Sequence, residues 1–249
     1  MLWKLFLAAY SFGVSVENVV LHDNARYLAF LTNQGIWLTV SYFIFSALAS
    51  VVVRFTPSLS VDNHAWRLFL MVTQLLFSIS LPIQLVIVTL YWLLLASPQP
   101  SSLLYWDNLE SHGIKFALIW LDLLTGSMTL PPPQCIATLS ASIIYAVINL
   151  SVTLSTYPVY TVLKWRDWGS LVLIVGALLY AVFAFFLGNM LSRSRDALAL
   201  YLNKKEFDEA GSEDREEDVR YPSRFLDDTE KLPYIACTPT PQGLEQSLL

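Results

Sequence analysis

The chain has 249 residues, of which 55% are hydrophobic and only 14% are charged, whereas soluble domains usually contain about 25% charged residues. This composition excludes an ordinary soluble domain and favours a polytopic membrane protein built from helices. The sequence contains no basic patch, RNA-binding signature or zinc-ligand spacing, so we expect no nucleic-acid partner.

Charged residues are distributed unevenly. Residues 1–192 contain seven basic and seven acidic side chains, and residues 193–249 contain eight basic and thirteen acidic ones, an excess that equals the net charge of −5. The sequence therefore predicts a membrane domain over residues 1–192 and a cytoplasmic acidic tail over residues 193–249. Stretches such as "KKEFDEAGSEDREEDVR" contain few apolar residues, which predicts that the tail is mostly disordered. Such a tail is a candidate docking segment for a cytoplasmic partner.

Six segments are long and apolar enough for membrane helices, which need roughly 20 mostly apolar residues. We interpret the first, Leu2–Val20, as a retained helix, although Lys4 followed by an apolar run leaves a cleaved signal peptide as the alternative. The other five segments are Tyr27–Val53, Trp66–Leu95, Ile114–Leu130, Cys135–Leu154 and Gly169–Leu191. The predicted fold is an all-α bundle of about six transmembrane helices.

The orientation of the bundle follows from its basic residues, because lysine and arginine near membrane segments favour the cytoplasmic side. With the N-terminus inside, the cytoplasmic side receives Arg54, Arg67, Arg193, Arg195, Lys204 and Lys205, and the opposite side receives Arg26, Lys164 and Arg166. This bias predicts a multi-pass protein of the endoplasmic reticulum or plasma membrane with both termini in the cytoplasm.

Polar residues interrupt the second segment at "FLTNQG", Phe30 to Gly35. Lipid contains no water that could bond to such groups, so each one needs a partner or a function. Several small or weakly polar residues of this segment share a helix face about 60° wide: Thr32, Gly35, Thr39, Ser46 and Ser50. A stripe of this kind usually packs closely against another membrane helix, so packing is the first interpretation of Thr32.

The fourth segment and the residues just before it, "NLESHGIKFALIWLDLL", place His112, Lys115 and Asp122 on one helix face. Ionisable residues within a membrane usually face the bundle interior. Lys115 and Asp122 lie two turns apart, about 10.5 Å, so we expect each to find partners elsewhere, unless Lys115 extends to the interface. In the predicted orientation, Thr32 and His112 enter the membrane from the same side at similar depth. A hydroxyl nucleophile and its general base require such proximity.

These stretches resemble a known family. "FLT" and "NLESHGIKFALIWLDLL" resemble the androgen-induced and androgen-dependent membrane proteins. The order of "LPPPQ", Cys135–Leu154 and "YPVYTVLKWRDWGS" looks more like their Rolling stone relatives. The resemblance covers roughly residues 1–195. It implies an integral membrane threonine hydrolase that cleaves esters between a fatty acid and a hydroxy fatty acid. By this resemblance, Thr32 is the nucleophile and His112 is the catalytic histidine, with Ser111 where the family has asparagine.

The enzyme hypothesis assigns further roles around this pair. The substrate is a lipid ester that enters from the bilayer, and no metal or organic cofactor is implied. Asn33, Gln34 and Asn108 are candidate donors to the oxyanion that forms during ester cleavage. The sequence does not identify a carboxylate that orients His112, because the spacing of the nearby Asp107 and Glu110 does not establish a contact.

Two other functions remain open. A non-catalytic, Rolling stone-like protein would act in adhesion, fusion or scaffolding through the loop Ser97–Ser111 and the acidic tail. A transporter would use Lys115 and Asp122 in an ion path, but the sequence lacks the inverted repeat that many such folds contain.

Overall fold

The computed structural model describes residues 1–21, 30–56, 63–95, 106–155, 159–160 and 163–213, and these ranges contain helices and no strand. The α-helices are α1 (Leu2–Leu21), α2 (Leu31–Phe55), α3 (His64–Leu90), α4 (Trp106–Leu109), α5 (Lys115–Thr125), α6 (Cys135–Ser155) and α7 (Trp168–Glu213). Two π-helical turns continue α3 and join α4 to α5, namely Tyr91–Leu95 and Glu110–Ile114. The prediction of an all-α fold is confirmed for these residues.

Four helical stretches within the described residues are long and apolar enough to cross a membrane: Leu31–Phe55, His64–Leu94, Pro132–Ser155 and Trp168–Lys204. They correspond to four of the six predicted segments. The fourth predicted segment, Ile114–Leu130, differs from the structure, because the helix ends at Thr125 and Gly126 has extended backbone angles. The count of six membrane helices therefore stays a prediction.

A proline lies inside α3 without ending it. Pro82 is buried in the helix and lacks the N–H that would bond to the carbonyl of Ser78. The hydroxyl of Thr138 on α6 donates a 2.7 Å hydrogen bond to that carbonyl. Membrane helices tolerate proline where a neighbouring helix satisfies the freed backbone group in this way.

The hydrophobic core joins most of the helices in one cluster. Its buried members come from α1, α2, α3, α5, α7 and the segment after α5: Leu7, Tyr42, Phe43, Phe77, Leu81, Ile119, Leu123, Leu130 and Phe185. Helix α1 therefore packs into the same core as candidate spans. The interpretation of the first segment as a retained helix stays a prediction.

The last helix extends beyond the predicted domain boundary at residue 192. Helix α7 continues to Glu213, through residues that the composition assigns to a disordered tail. The stretch "DALALYLNKKEFDEA" contains many alanine, leucine, lysine and glutamate residues, which favour helix even without a buried face. Residues 214–249 lie outside the described residues, as does most of the loop Ser97–Ser111.

Candidate active site

The first turn of α2 is held by a tyrosine from a distant part of the chain. Phe30 precedes the helix in an extended conformation and makes no side-chain cap. The backbone N–H of Leu31 instead donates a 3.0 Å hydrogen bond to Oη of Tyr160. The Phe30 ring meets the Tyr160 ring edge-on at 5.7 Å between centroids. These contacts position the turn that carries Thr32, because the first N–H groups of a helix have no partner within the helix.

His112 lies in the π-helical turn Glu110–Ile114, and Tyr91 begins the other π-helical turn. The two rings stack almost parallel, with 3.5 Å between their centroids and 5° between their planes. Turns of π-helix interrupt α-helices frequently at functional sites. The stacking fixes the orientation of the imidazole plane.

The Nδ1 atom of His112 is buried and has no hydrogen-bond partner, carboxylate or other, among the described residues. Glu110, one of the two carboxylates near His112 in sequence, lies 3.1 Å from Nζ of Lys115. Lys115 also donates to Ser15 on α1. The side chain of Asp107 lies outside the described residues. Lys115 is fully buried, so it pairs inside the bundle and does not extend to the interface.

Burial also sets the protonation state of His112, which lies outside the four candidate spans. Burial lowers the pKa of His112 to about 4, because transfer from water disfavours the charged imidazolium. The imidazole is therefore neutral near pH 7 and can accept a proton.

Asp122 is paired at the other end of α5. Its carboxylate accepts hydrogen bonds from Nζ of Lys4 and from the hydroxyl of Tyr42, both at 2.5 Å. Lys4 pairs with Asp122 and Ser15 pairs with Lys115, so α1 and α5 run antiparallel. Lys115 and Asp122 thus find partners on other helices, as the sequence predicts.

Thr32 and His112 line a common cavity of about 300 Å³. The other described residues that line this polar chamber are Phe30, Asn33, Tyr91, Ser111 and Tyr160. Of the three candidate oxyanion donors in the sequence, Asn33 lines the chamber, and Gln34 and Asn108 do not. The structure thus brings together the two residues that the sequence assigns to catalysis.

A second cavity, of about 100 Å³, adjoins the polar chamber. Thr32, Tyr91 and Tyr160 line both cavities. Aliphatic side chains from four helices form most of the second wall, among them Leu31, Ile83, Val86, Ile87, Leu90, Leu173, Ile174 and Leu178. We call this space the apolar cavity. Thr32 therefore lies where a polar and an apolar compartment meet.

The remainder of the α2 stripe packs closely. The hydroxyl of Thr39 donates to the carbonyl of Gly35 at 2.9 Å, and Nε2 of Gln84 donates to both residues. A Cβ atom on Gly35 would lie only 2.3 Å from Cδ1 of Ile87. Close packing thus accounts for Gly35 and Thr39. Thr32, two turns before Thr39, lies instead on the wall of the cavities.

Two tyrosines of the site were not singled out from the sequence. Tyr91 lies near the end of an apolar segment, next to Trp92, where aromatic residues are common at membrane interfaces. Tyr160 belongs to the quoted stretch "YPVYTVLKWRDWGS", but its contact with Leu31 spans 129 positions. Only the side-by-side arrangement of helices identifies these residues.

Comparison with known proteins identifies no relative: no protein-family model, curated protein or solved structure matches the chain. The candidate site therefore depends on its own geometry. Within the described residues, no group of three or more His, Cys, Asp or Glu side chains could hold a metal ion.

Proposed function

We propose that this chain is an integral membrane hydrolase of lipid esters, with Thr32 as nucleophile and His112 as general base. The substrate class is an ester between a fatty acid and a hydroxy fatty acid, so the protein would act in lipid metabolism. The observation that carries the proposal is the common chamber lined by Thr32 and His112. Neutral His112 is in the protonation state that a base requires.

The reaction balances with these two side chains and water. His112 removes the proton from Oγ1 of Thr32, and the alkoxide attacks the ester carbonyl carbon to form a tetrahedral oxyanion. The oxyanion collapses to an acyl-threonine, and the departing hydroxy fatty acid takes the proton from His112. Water then attacks the acyl-threonine, with His112 accepting one of its protons. Collapse of this second intermediate releases the fatty acid and returns the proton to Thr32.

The two cavities suit a substrate that has an apolar chain and an ester group. The apolar cavity offers aliphatic walls to an acyl chain, whose burial is favourable at about 0.8 kcal/mol per CH₂. The polar chamber begins where Thr32, Tyr91 and Tyr160 line both spaces. An ester whose chain occupies the apolar cavity would present its carbonyl near Thr32. Residues of all four candidate membrane spans line the apolar cavity, which supports entry of substrate from the bilayer.

Three expectations from the sequence belong to this proposal. They are membership of the family that contains the androgen-induced and Rolling stone proteins, a bundle of six membrane helices, and termini in the cytoplasm. The packing of α1 against the core supports the six-helix arrangement. Thr32 lies in the first turn of α2 and Tyr91 follows α3, so the polar chamber lies at the end of the bundle where α2 begins and α3 ends. In the proposed orientation, this chamber faces the lumen or the exterior.

The test combines covalent labelling with turnover. Membranes containing the protein are treated with a fluorophosphonate probe, which reacts with activated hydroxyl nucleophiles, and hydrolysis of a fatty acid–hydroxy fatty acid ester is measured in parallel. We expect labelling and hydrolysis by the wild type, and neither by Thr32→Ala. The matched control is Thr39→Ala, which removes a hydroxyl from the same helix but not from either cavity. Signals are normalised to folded protein by gel filtration in detergent.

Two results would contradict the proposal. Full hydrolysis by well-folded Thr32→Ala would remove Thr32 as the nucleophile and return it to helix packing. A wild-type protein that neither labels nor hydrolyses the ester would favour the non-catalytic function in adhesion, fusion or scaffolding.

A further inference from the structure

A chain of polar side chains leads from the start of α7 to the polar chamber. Nε1 of Trp165 donates a 2.8 Å hydrogen bond to Oδ1 of Asn149 on α6. Nδ2 of Asn149 donates at 3.1 Å to Oη of Tyr145 on the same helix. The hydroxyl of Tyr145 in turn interacts electrostatically with that of Tyr160, and both tyrosines line the apolar cavity. No step of the proposed reaction uses Trp165, Asn149 or Tyr145.

The direction of the hydrogen bonds in this series of side chains follows from the indole N–H of Trp165, which can only donate. The indole N–H of Trp165 has no acceptor capacity, so the carbonyl oxygen of Asn149 faces it and the amide NH₂ faces Tyr145. Tyr145 therefore accepts from Asn149, and its own proton is available to Tyr160. The reverse arrangement would leave the proton of the buried Tyr145 directed towards the apolar cavity, where an unmatched donor is costly.

The oxygen of Tyr160 is engaged as an acceptor. The backbone N–H of Leu31 donates a 3.0 Å hydrogen bond to it, and the hydroxyl of Tyr145 interacts with it electrostatically. Because the oxygen accepts from Leu31, its own proton is left to donate. Tyr160 lines the polar chamber together with Thr32 and His112. The chamber is therefore the place where this proton finds an acceptor.

The far end of the chain is firmly anchored. Trp165 has a positive φ of 58°, a conformation that a bulky residue adopts only where its surroundings impose it. The hydroxyl of Ser170 accepts hydrogen bonds from the backbone N–H groups of Lys164 and Trp165. The backbone N–H of Ser170 donates a 2.7 Å hydrogen bond to Oδ1 of Asp167, which holds the pKa of that carboxyl below its usual range.

We propose that the Tyr160 hydroxyl is the oxyanion donor of this site, and that Trp165, Asn149 and Tyr145 are positioning residues that polarise it. The inference rests on the proposed function. The carbonyl oxygen of the ester becomes negative when Thr32 attacks, and Tyr160 stabilises it by a hydrogen bond without losing its proton. Each donor in the chain strengthens the next, because hydrogen bonds in series polarise one another. Such a donor is held in place before the reaction and needs no reorganisation during it.

The first test is Tyr160→Phe, measured by hydrolysis of a fatty acid–hydroxy fatty acid ester in detergent. We expect kcat to fall about 10²–10³-fold, the loss observed when one oxyanion donor is removed, with little change in KM. Tyr145→Phe removes the polarising hydroxyl but keeps the Tyr160 hydroxyl, so its loss of kcat should be smaller. Unchanged kcat in folded Tyr160→Phe, in a protein that Thr32→Ala inactivates, would overturn this inference and leave the proposed function standing.

A second measurement separates catalysis from a structural role, because Tyr160 also holds Leu31. Fluorotyrosines incorporated at position 160 keep the hydroxyl and the ring size but make the phenol more acidic. At a pH where all of them remain protonated, a donor role predicts that kcat changes progressively with phenol acidity. Equal kcat across the series would show that Tyr160 acts only in holding α2 and would overturn the inference. A wild-type protein without hydrolysis would overturn both the inference and the proposed function.

Discussion

The two ends of the α4–α5 stretch use polar side chains in opposite ways. At the end of α5, Asp122 is enclosed by Lys4 and Tyr42, and both contacts are charge-assisted hydrogen bonds. Before α5, His112 stacks on Tyr91, and its Nδ1 atom has no hydrogen-bond partner among the described residues. The hydrogen-bonded groups around Asp122 join α1 to the bundle, whereas the groups around His112 line the polar chamber. Asp122 is thus held by ionic hydrogen bonds, whereas His112 is held by ring stacking beside a cavity.

Lys115 and Glu110 lie between the two ends and, like Asp122, are held by pairing. Both are buried, and they pair with each other, while Lys115 also reaches Ser15. Buried charges persist only when they are paired and hydrogen-bonded. An ion path, the transporter hypothesis, would require such charges to exchange partners. The paired geometry instead supports a role in holding α1.

The largest effect is expected in the polar chamber. His112→Ala should reduce hydrolysis of the ester by 10³-fold or more, on the order of losses seen for members of catalytic units. The double variant with Thr32→Ala should be no worse than either single variant, because the two groups act as one unit. The measurement is kcat per folded protein. Multiplicative losses in the double variant would show that the two residues act separately.

At the end of α5 that carries Asp122, Asp122→Ala should lower the free energy of unfolding more than it lowers the rate of hydrolysis. Removal of one partner from a buried ion pair costs about 3–5 kcal/mol, because it leaves the other charge without compensation. Unfolding in mixed detergent should therefore require less denaturant. Adding Lys4→Met removes the uncompensated charge and should restore much of the stability. An unchanged unfolding midpoint for Asp122→Ala would contradict the ion pair.

A smaller effect is expected where α2 packs on α3. Gly35→Ala places a methyl group against Cδ1 of Ile87, and overpacking of this kind costs about 1–3 kcal/mol. Ile87→Val removes that Cδ1 atom, so the double variant should be more stable than Gly35→Ala alone. The same detergent unfolding assay measures both. No recovery in the double variant would place the strain elsewhere.

The smallest effect concerns pH. With its pKa lowered to about 4 by burial, His112 stays neutral as the pH falls from 8 to 5, so kcat/KM at pH 5 should keep about nine-tenths of its pH 8 value. An ordinary histidine with a pKa near 6.5 would lose nearly all activity over this range. The measurement is a pH profile of kcat/KM. A midpoint near 6.5 would show that His112 is solvated in the working protein.

The free energy of unfolding should also depend on pH through His112. The folded-state pKa of His112 lies below its unfolded value, so below pH 6.5 the unfolded chain binds a proton that the folded chain does not. The contribution of neutral, buried His112 to the free energy of unfolding is therefore complete above pH 6.5. It decreases as the pH falls towards 4. Replacement of His112 by alanine should flatten this part of the stability profile.

The sequence by itself determined the helical class, the candidate spans and the pairing of Thr32 with His112 as a hypothesis. Apolar runs of sufficient length are local properties that need no knowledge of neighbours. The need of Lys115 and Asp122 for partners also follows from local chemistry, because buried charges cannot remain alone. The lengths of α5 and α7 were less predictable, since Gly126 ends one helix early and helix-forming residues prolong the other.

Only the tertiary structure decided which partners these residues have. It placed Lys4 against Asp122, joined Glu110 to Lys115, and brought Tyr91 and Tyr160 to the wall that Thr32 and His112 share. These contacts join positions as far apart as Leu31 and Tyr160, and no periodicity along the chain encodes such distances. They depend on which helices lie side by side, and that arrangement is set by packing of the whole core.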